Sequence, residues 1–270
     1  MPQPGVPRDE QSIPASPFAR LNHFLAVAYQ VLSTNPRLLL FLGLNAAVNI
    51  VILWAFLGTV VDDPGGEPTA GDPGLLLDFI RSAAQNLPLH FFQFALLVAA
   101  LAAVRGETMT AGDAFRVARA RIVPVVILAL LTTTFGLATQ LVTESLVERE
   151  AGIVSLPIVL AWLSWFAIDL LALSLVADTS GSMMAYLAGA GRLARRVWGD
   201  VLILVFVFML TTSFLAPLLI GGVASGAVGA EPSRQAVLVV ASISTIVHNI
   251  ILSFIYIYGA RLYIYAVTTR

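Results

Sequence analysis

The chain has 270 residues, of which 58% are hydrophobic and 11% charged, with a formal net charge of −1 and no cysteine; its mean hydropathy is +0.88. Soluble domains carry about 25% charged residues, so this composition excludes an ordinary soluble domain, and the missing cysteines exclude disulfides, thiolate metal sites and cysteine nucleophiles. No hydrophilic stretch is long enough to fold as a separate catalytic domain, and all fifteen basic residues are arginine.

Six stretches of 18 residues or more lack any charged side chain: 38–61, 82–104, 122–143, 151–168, 201–230 and 235–260. A helix needs about 20 apolar residues to cross a bilayer. The expected fold is all-α: a polytopic membrane protein with one six-span domain over 18–270, following a disordered N-terminal tail at 1–17. The tail is Pro-rich and lacks the basic-then-apolar order of a signal peptide. From Phe18 to Thr34, Phe18, Leu21, Leu25, Ala28 and Leu32 form one stripe, with Arg20, His23, Gln30 and Thr34 elsewhere; that spacing suits an amphipathic helix lying in the interface. Asn35-Pro36 ends it, and span one follows at about 38–61.

Residues 62–80 carry Asp62, Asp63, Glu67, Asp72 and Asp78 among Pro and Gly and read as an acidic loop. Span two is expected at about 84–104. A basic segment with Arg105, Arg116, Arg119 and Arg121 leads to span three, about 122–142, and Thr110 to Asp113 has capping-box spacing for a short helix ahead of it. After an acidic loop with Glu144, Glu148 and Glu150, span four, about 154–177, contains Asp169. Arg192, Arg195 and Arg196 precede span five, about 201–225, which Pro217 should kink. Span six, about 235–258, is expected to continue as a helix, with Tyr256, Tyr258, Tyr263 and Tyr265 as an interfacial aromatic belt.

This path puts both termini on one side. Twelve arginines fall on that side and three on the other, and the second side holds nine acids against six. Arginine enrichment marks the cytoplasmic face, so the expected location is a bacterial cell (inner) membrane with N- and C-termini in the cytoplasm.

Ala114–Val125 and Ala190–Val201 match at an offset of 76 residues, each with two arginines three apart, and Thr132–Phe135 resembles Thr211–Phe214 at an offset of 79. The expected unit is a surface helix, an outward span and a return span, with 18–35 opening a third, diverged copy. Arg116, Arg119, Arg121, Arg192, Arg195 and Arg196 are the docking candidates. They suit anionic lipid head groups at the cytoplasmic face, at about 1 kcal/mol per arginine. The alternative is a protein partner, as coupling helices of ABC permeases use, although Met184–Gly189 only loosely echoes that pattern.

An amphipathic helix with spaced arginines, the Trp198-Gly199 pair and a long apolar span together resemble a group of poorly characterised bacterial six-span proteins. That group looks related to the membrane domain preceding the catalytic barrel in some glycerophosphodiester phosphodiesterases. The resemblance covers mainly 18–61 and 180–225 and implies membrane residence. The barrel itself has no counterpart in this sequence, so no catalytic residue is carried over.

Polar groups inside a membrane are costly, and each is a candidate functional residue. Asp169 is expected about 12 Å from the inner end of its span at 1.5 Å per residue. Asn45, Asn49, Gln93, Thr133, Thr212, His248 and Asn249 fall at similar depth, giving a midplane layer with Asp169 and His248 as its titratable members. The structural account is interhelical hydrogen bonding, worth about 0.6 kcal/mol each. A relay or cation site would need a second acid, which no other span supplies, and a carboxylate at that depth must be protonated or paired. His90 and His248 invite a haem reading, but their depths differ by about 6 Å. His23 is expected to be solvated. No cofactor, metal set or catalytic motif is expected.

The sequence therefore points to a non-enzymatic multi-pass protein: an accessory, scaffold or assembly subunit working through helix–helix and lipid contacts. Its expected partners are lipids and either a membrane protein or a second copy, and not nucleic acid. The alternative is a permease or small transporter using the layer around Asp169. An intramembrane lipid enzyme would need an acid–base or nucleophile set that the sequence lacks.

Overall fold

A computed structural model of the protein describes residues 13–14, 16–60, 74–147, 155–210 and 234–269. Its elements are α1 (Pro17–Thr34), α2 (Leu38–Val60), α3 (Gly74–Val104), α4 (Ala111–Ala120), α5 (Ile122–Val147), α6 (Ser155–Asp178), α7 (Met183–Arg196), α8 (Trp198–Leu210) and α9 (Arg234–Thr268). Among the described residues there is no strand. Helices are what a chain this apolar must form, because lipid offers no partner for exposed backbone N–H and C=O groups.

Four stretches are long and apolar enough to cross a membrane: Phe79–Val104, Ile122–Thr143, Leu160–Asp178 and Ser242–Thr268. They correspond to the second, third, fourth and sixth expected spans. The first is α2, which counts as a fifth candidate together with α1 across a 94° bend. The fifth begins in α8, whose shorter apolar helix is Trp198–Val207; its remainder, with Thr212 and Pro217, lies outside the described residues, as does the tail at 1–12. Two boundaries differ from expectation. α5 runs on to Val147, so Glu144 lies in a helix and not in the acidic loop expected after span three. α3 starts at Gly74, so Asp78 sits within a helix where an acidic loop was expected.

Three helices form the centre. α3, α6 and α9 touch one another, and every residue from Gln93 to Ala102 is buried, the signature of a helix surrounded on all sides. They are parallel, because their C-terminal ends meet: Arg105 donates to Asp178 at 2.6 Å, and the Tyr263 hydroxyl donates to the other oxygen of Asp178 at 2.8 Å. Close contact is allowed at Gly259, where an added Cβ would lie 2.7 Å from a Leu170 methyl. The return helices lie outside this trio: α5 packs on α3 and α6, α2 on α9 and α3, and α8 on α6 and α9. Accordingly 61% of the apolar stretch is buried in α3 and in α9, but only 22% in α5.

The short helices cap the end where the three C-termini gather: α4 packs on α3, α7 on α6, and α1 on α9. α3 stops at a Schellman motif. Gly106 adopts φ +75, Gly106 N–H donates to the Ala103 carbonyl and Glu107 N–H to the Ala102 carbonyl, which is why glycine is needed there. α4 then starts on Thr110, whose hydroxyl accepts from Asp113 N–H at 3.1 Å. The Thr110 hydroxyl also donates to the Asp113 carboxylate, which with help from Arg116 holds that carboxyl below its ordinary range. α7 starts in the same way on Ser182.

The match at an offset of 76 extends to burial. Ala114 and Ala190, Ala118 and Ala194, Val125 and Val201, Leu128 and Leu204, and Ala129 and Val205 are all buried. Both joints bend at one residue of similar conformation, Arg121 (φ −108, ψ 21) and Val197 (φ −111, ψ 21). α7 is longer than α4 at its start.

α1 departs from expectation in its buried face, which is Leu21, Phe24, Ala28 and Val31, while Phe18 is 69% exposed. The helix is rotated so that Phe24 meets Tyr258 edge-on, with ring centroids 5.4 Å apart. The rotation also brings Arg20 to Asp200 at the start of α8, Nε to Oδ1 at 2.7 Å and Nη2 to Oδ2 at 3.2 Å, with side-chain exposures of 12% and 3%. Arg20 was expected on a polar outer face; a forked pair to a buried carboxylate ties it inward. Tyr265 lies under its guanidinium at 5.4 Å.

Arg20→Gln should lower stability by about 3 kcal/mol, because it leaves Asp200 buried without its counter-charge, and adding Asp200→Asn should recover most of the loss. Thermal unfolding of the detergent-solubilised protein, followed by tryptophan fluorescence, checks both. An unchanged midpoint for Arg20→Gln would mean that α1 is not held on α8.

Candidate functional site

The polar residues of the central helices fall on stripes with helical spacing. α2 carries Asn45 and Asn49, α3 carries Asn86, His90 and Gln93, and α9 carries Ser242, Thr245, Asn249, Ser253 and Tyr256. Residues three or four apart share a helix face, so each stripe presents one polar edge to its neighbours.

Between α2 and α9 these edges make a directed chain of carboxamides. Asn49 Nδ2 donates to Asn45 Oδ1 at 3.1 Å, Asn45 Nδ2 donates to Asn249 Oδ1, and Asn249 Nδ2 donates to the Thr245 carbonyl at 2.8 Å. Asn45 and Asn249 are buried, at 4% and 3% exposure. Every step runs donor to acceptor, so burial leaves these amide groups satisfied.

The second cluster joins α3, α5, α6 and α9. Asn86 Nδ2 donates to Thr133 Oγ1 at 3.0 Å, and the Thr133 hydroxyl donates to the Ala129 carbonyl. His90 Nδ1 lies 3.0 Å from the Asn86 carbonyl oxygen, and His90 Nε2 lies 3.3 Å from Asp169 Oδ2. The Tyr256 hydroxyl donates to Gln93 Oε1 at 2.7 Å. Oδ1 of Asp169 is buried and has no hydrogen-bond partner among the described residues.

Two spaces adjoin these clusters. A cavity of about 10 Å³, room for one water, is lined by Asn45, Gln93, Asn249 and Ser253 with apolar neighbours. A cleft of about 280 Å³ is lined by Asn49, Gln85, Asn86, Leu89, Ser244, Thr245, His248 and Asn249. Asn249 borders both, and the lining is almost wholly uncharged and hydrogen-bonding.

The expected layer is therefore brought together for Asn45, Asn49, Gln93, Thr133, Asp169 and Asn249. Thr212 lies outside the described residues. His248 is exposed on the wall of the cleft that Asn49 and Asn249 also line. One residue past His248 along α9, Asn249 is turned about 100° at 3.6 residues per turn, and the polar stripe runs through Asn249. The histidine beside Asp169 is His90, which the sequence suggested only as a haem ligand. Tyr256, Tyr258 and Tyr263 are also buried in the bundle, not spread along an interface, because α9 is central. The signal in the sequence for Asn86 is the spacing Asn86, His90, Gln93.

The arginine candidates sit at the opposite end of the site's helices. Arg116, Arg119, Arg192, Arg195 and Arg196 are exposed, and Arg121 lies half-buried at the α4–α5 joint. Arg116 pairs with Asp113 at 3.0 Å on its own helix.

Gln93→Leu should cost about 1–3 kcal/mol, because it orphans the buried Tyr256 hydroxyl, whereas Gln93→Leu combined with Tyr256→Phe should return most of that. A double-mutant cycle on the unfolding midpoint checks the coupling, and simple additivity of the two changes would show that the bond contributes nothing.

Compared with known proteins, residues 73–270 match a family of unknown function, DUF6159. No curated protein and no solved structure matches the chain, and no link to glycerophosphodiester phosphodiesterases is found.

Proposed function

The chain belongs to DUF6159, a family of unknown function, and we propose that it is a non-enzymatic multi-pass protein of a bacterial cell membrane, acting as an accessory or scaffold subunit through its helices and their contacts with lipid. In this reading it has six spans, α2 being the first and α8 with the residues beyond it the fifth. Both termini are cytoplasmic, and the short helices α1, α4 and α7 lie in the inner interface. The split of twelve arginines to three supports that orientation. The likeness around Trp198-Gly199 to the membrane domain of glycerophosphodiester phosphodiesterases belongs to the same reading, since it fits a chain that supplies membrane contacts and no chemistry.

The observation that carries the proposal is the matched pair α4 and α7. Each buries two alanines four residues apart against the span before it and leaves arginines exposed at the same end of the bundle. Alanine lets the helix lie close to its span, and the long arginines are left over for something outside the fold. Anionic head groups, and a partner subunit seated among them, suit that charge.

Gentle-detergent purification from the native membrane should recover a fixed companion. Changing Arg116, Arg119, Arg195 and Arg196 together to Gln should lose it with the unfolding midpoint kept; recovery of the wild-type protein alone would overturn the subunit reading. A reporter fused after Asp72 should report the non-cytoplasmic side, and a cytoplasmic signal there would sink the orientation.

A permease reading has one observation of its own, the uncharged polar cleft of about 280 Å³ between α2, α3 and α9. It is large enough for a small hydrogen-bonding solute and is walled by carboxamides and hydroxyls.

A further inference from the structure

The His90–Asp169 pair carries an inference that rests on neither reading above. A backbone carbonyl only accepts hydrogen bonds, so the 3.0 Å contact between His90 Nδ1 and the Asn86 carbonyl oxygen is a hydrogen bond only with the hydrogen on Nδ1. A neutral imidazole then has a bare lone pair on Nε2, and an ionised carboxylate has only lone pairs. Two acceptors 3.3 Å apart do not attract, so a further proton must lie between them. We propose that His90 and Asp169 form a proton-binding site within the membrane-embedded bundle, holding one proton between Nε2 and Oδ2 and exchanging it with water in the polar cleft.

Charge accounting agrees. With the extra proton the pair is neutral overall, whether written as imidazolium and carboxylate or as imidazole and carboxylic acid. Without it, a net negative charge would sit among side chains that are 4% and 7% exposed, which low-dielectric surroundings oppose. Among the described residues, the groups facing the pair supply no compensating cation. From α9 the nearest titratable group is Tyr256, whose hydroxyl is committed to Gln93. From α5 the facing residue is Thr133, linked through Asn86, and α2 carries Asn45 and Asn49 on its polar edge. Arg105 pairs with Asp178 at the end of the bundle, and His248 stands on the cleft wall.

Asn86 also links the pair to the cleft. It fixes the His90 ring and lines the cleft, and Asn249 joins the cleft to the one-water cavity beside Gln93. Oδ1 of Asp169, which has no hydrogen-bond partner among the described residues, is a second acceptor, able to take a proton that arrives from a direction other than that of His90.

The test uses the full chain in uncharged vesicles, with nitrogen-15 in its histidines and infrared spectra taken over the same pH titration. His90→Gln identifies the His90 signals. Asp169→Asn keeps the shape and provides an N–H donor to Nε2, so it should fold. The expected result is Nδ1 protonated throughout, with either an imidazolium signal from His90 or a carboxylic-acid band that vanishes in Asp169→Asn. That signature should disappear on alkaline titration with the loss of one proton per chain, a loss absent from Asp169→Asn. A neutral imidazole protonated on Nε2 beside an ionised carboxylate would overturn the proposal. So would a signature that stays unchanged up to the pH at which the fold is lost, since it would show a proton sealed from the cleft.

Discussion

Three parallel helices hold one another at two levels, and the rest of the chain is arranged around that contact. At one end Arg105, Asp178 and Tyr263 bond across α3, α6 and α9; further along, His90 meets Asp169 and Gln93 meets Tyr256 across the same three helices. Between apolar helices in lipid there is no hydrophobic drive to associate, so packing of small residues and polar bonds must do it. Both are present here: the Gly259–Leu170 contact lets α9 close on α6, and alanines fill the buried stretch of α3.

The arrangement of the remaining helices follows from that trio. Each parallel span is followed at its C-terminal end by a short helix packed back on it and then by a return helix that wedges beside a neighbour. For α9 those two parts are supplied by the start of the chain, with α1 docked on its end and α2 alongside. The Arg20–Asp200 pair closes this ring by joining α1 to the beginning of α8. A buried ion pair is weak evidence for stability in itself, but it does fix where a helix sits, and it accounts for the rotation of α1 that exposes Phe18.

One end of the bundle and its interior therefore differ in chemistry. The end presents exposed arginines on the short helices α4 and α7, while the interior holds an uncharged hydrogen-bonded layer with the His90–Asp169 pair and a cleft beside it. Surface arginines are inexpensive to keep; an acid in the bundle must be neutralised, and the partner that does so decides what it can do.

Much of this was legible in the residues alone. Spans two, three, four and six, the helix starting on Thr110, the stop at Asn35-Pro36 and the correspondence at an offset of 76 depend on local features: apolar run length, caps and spacing. Asn45, Asn49, Gln93 and Asn249 were legible as a layer because polar groups in an apolar span have few places to go. The partners were not. Adjacent positions such as His248 and Asn249 differ only in which way they point, and that is settled by how α9 is turned against α2 and α3. His90 and Asp169 are 79 residues apart, and Arg20 and Asp200 are 180 apart, so no local rule connects them. Composition and periodicity determined that this chain is helical and suited to a membrane, because both follow from the solvent each stretch prefers. Which polar groups meet was decided only by tertiary packing, since a hydrogen bond needs a distance and a direction, and those exist only once the helices have chosen their neighbours.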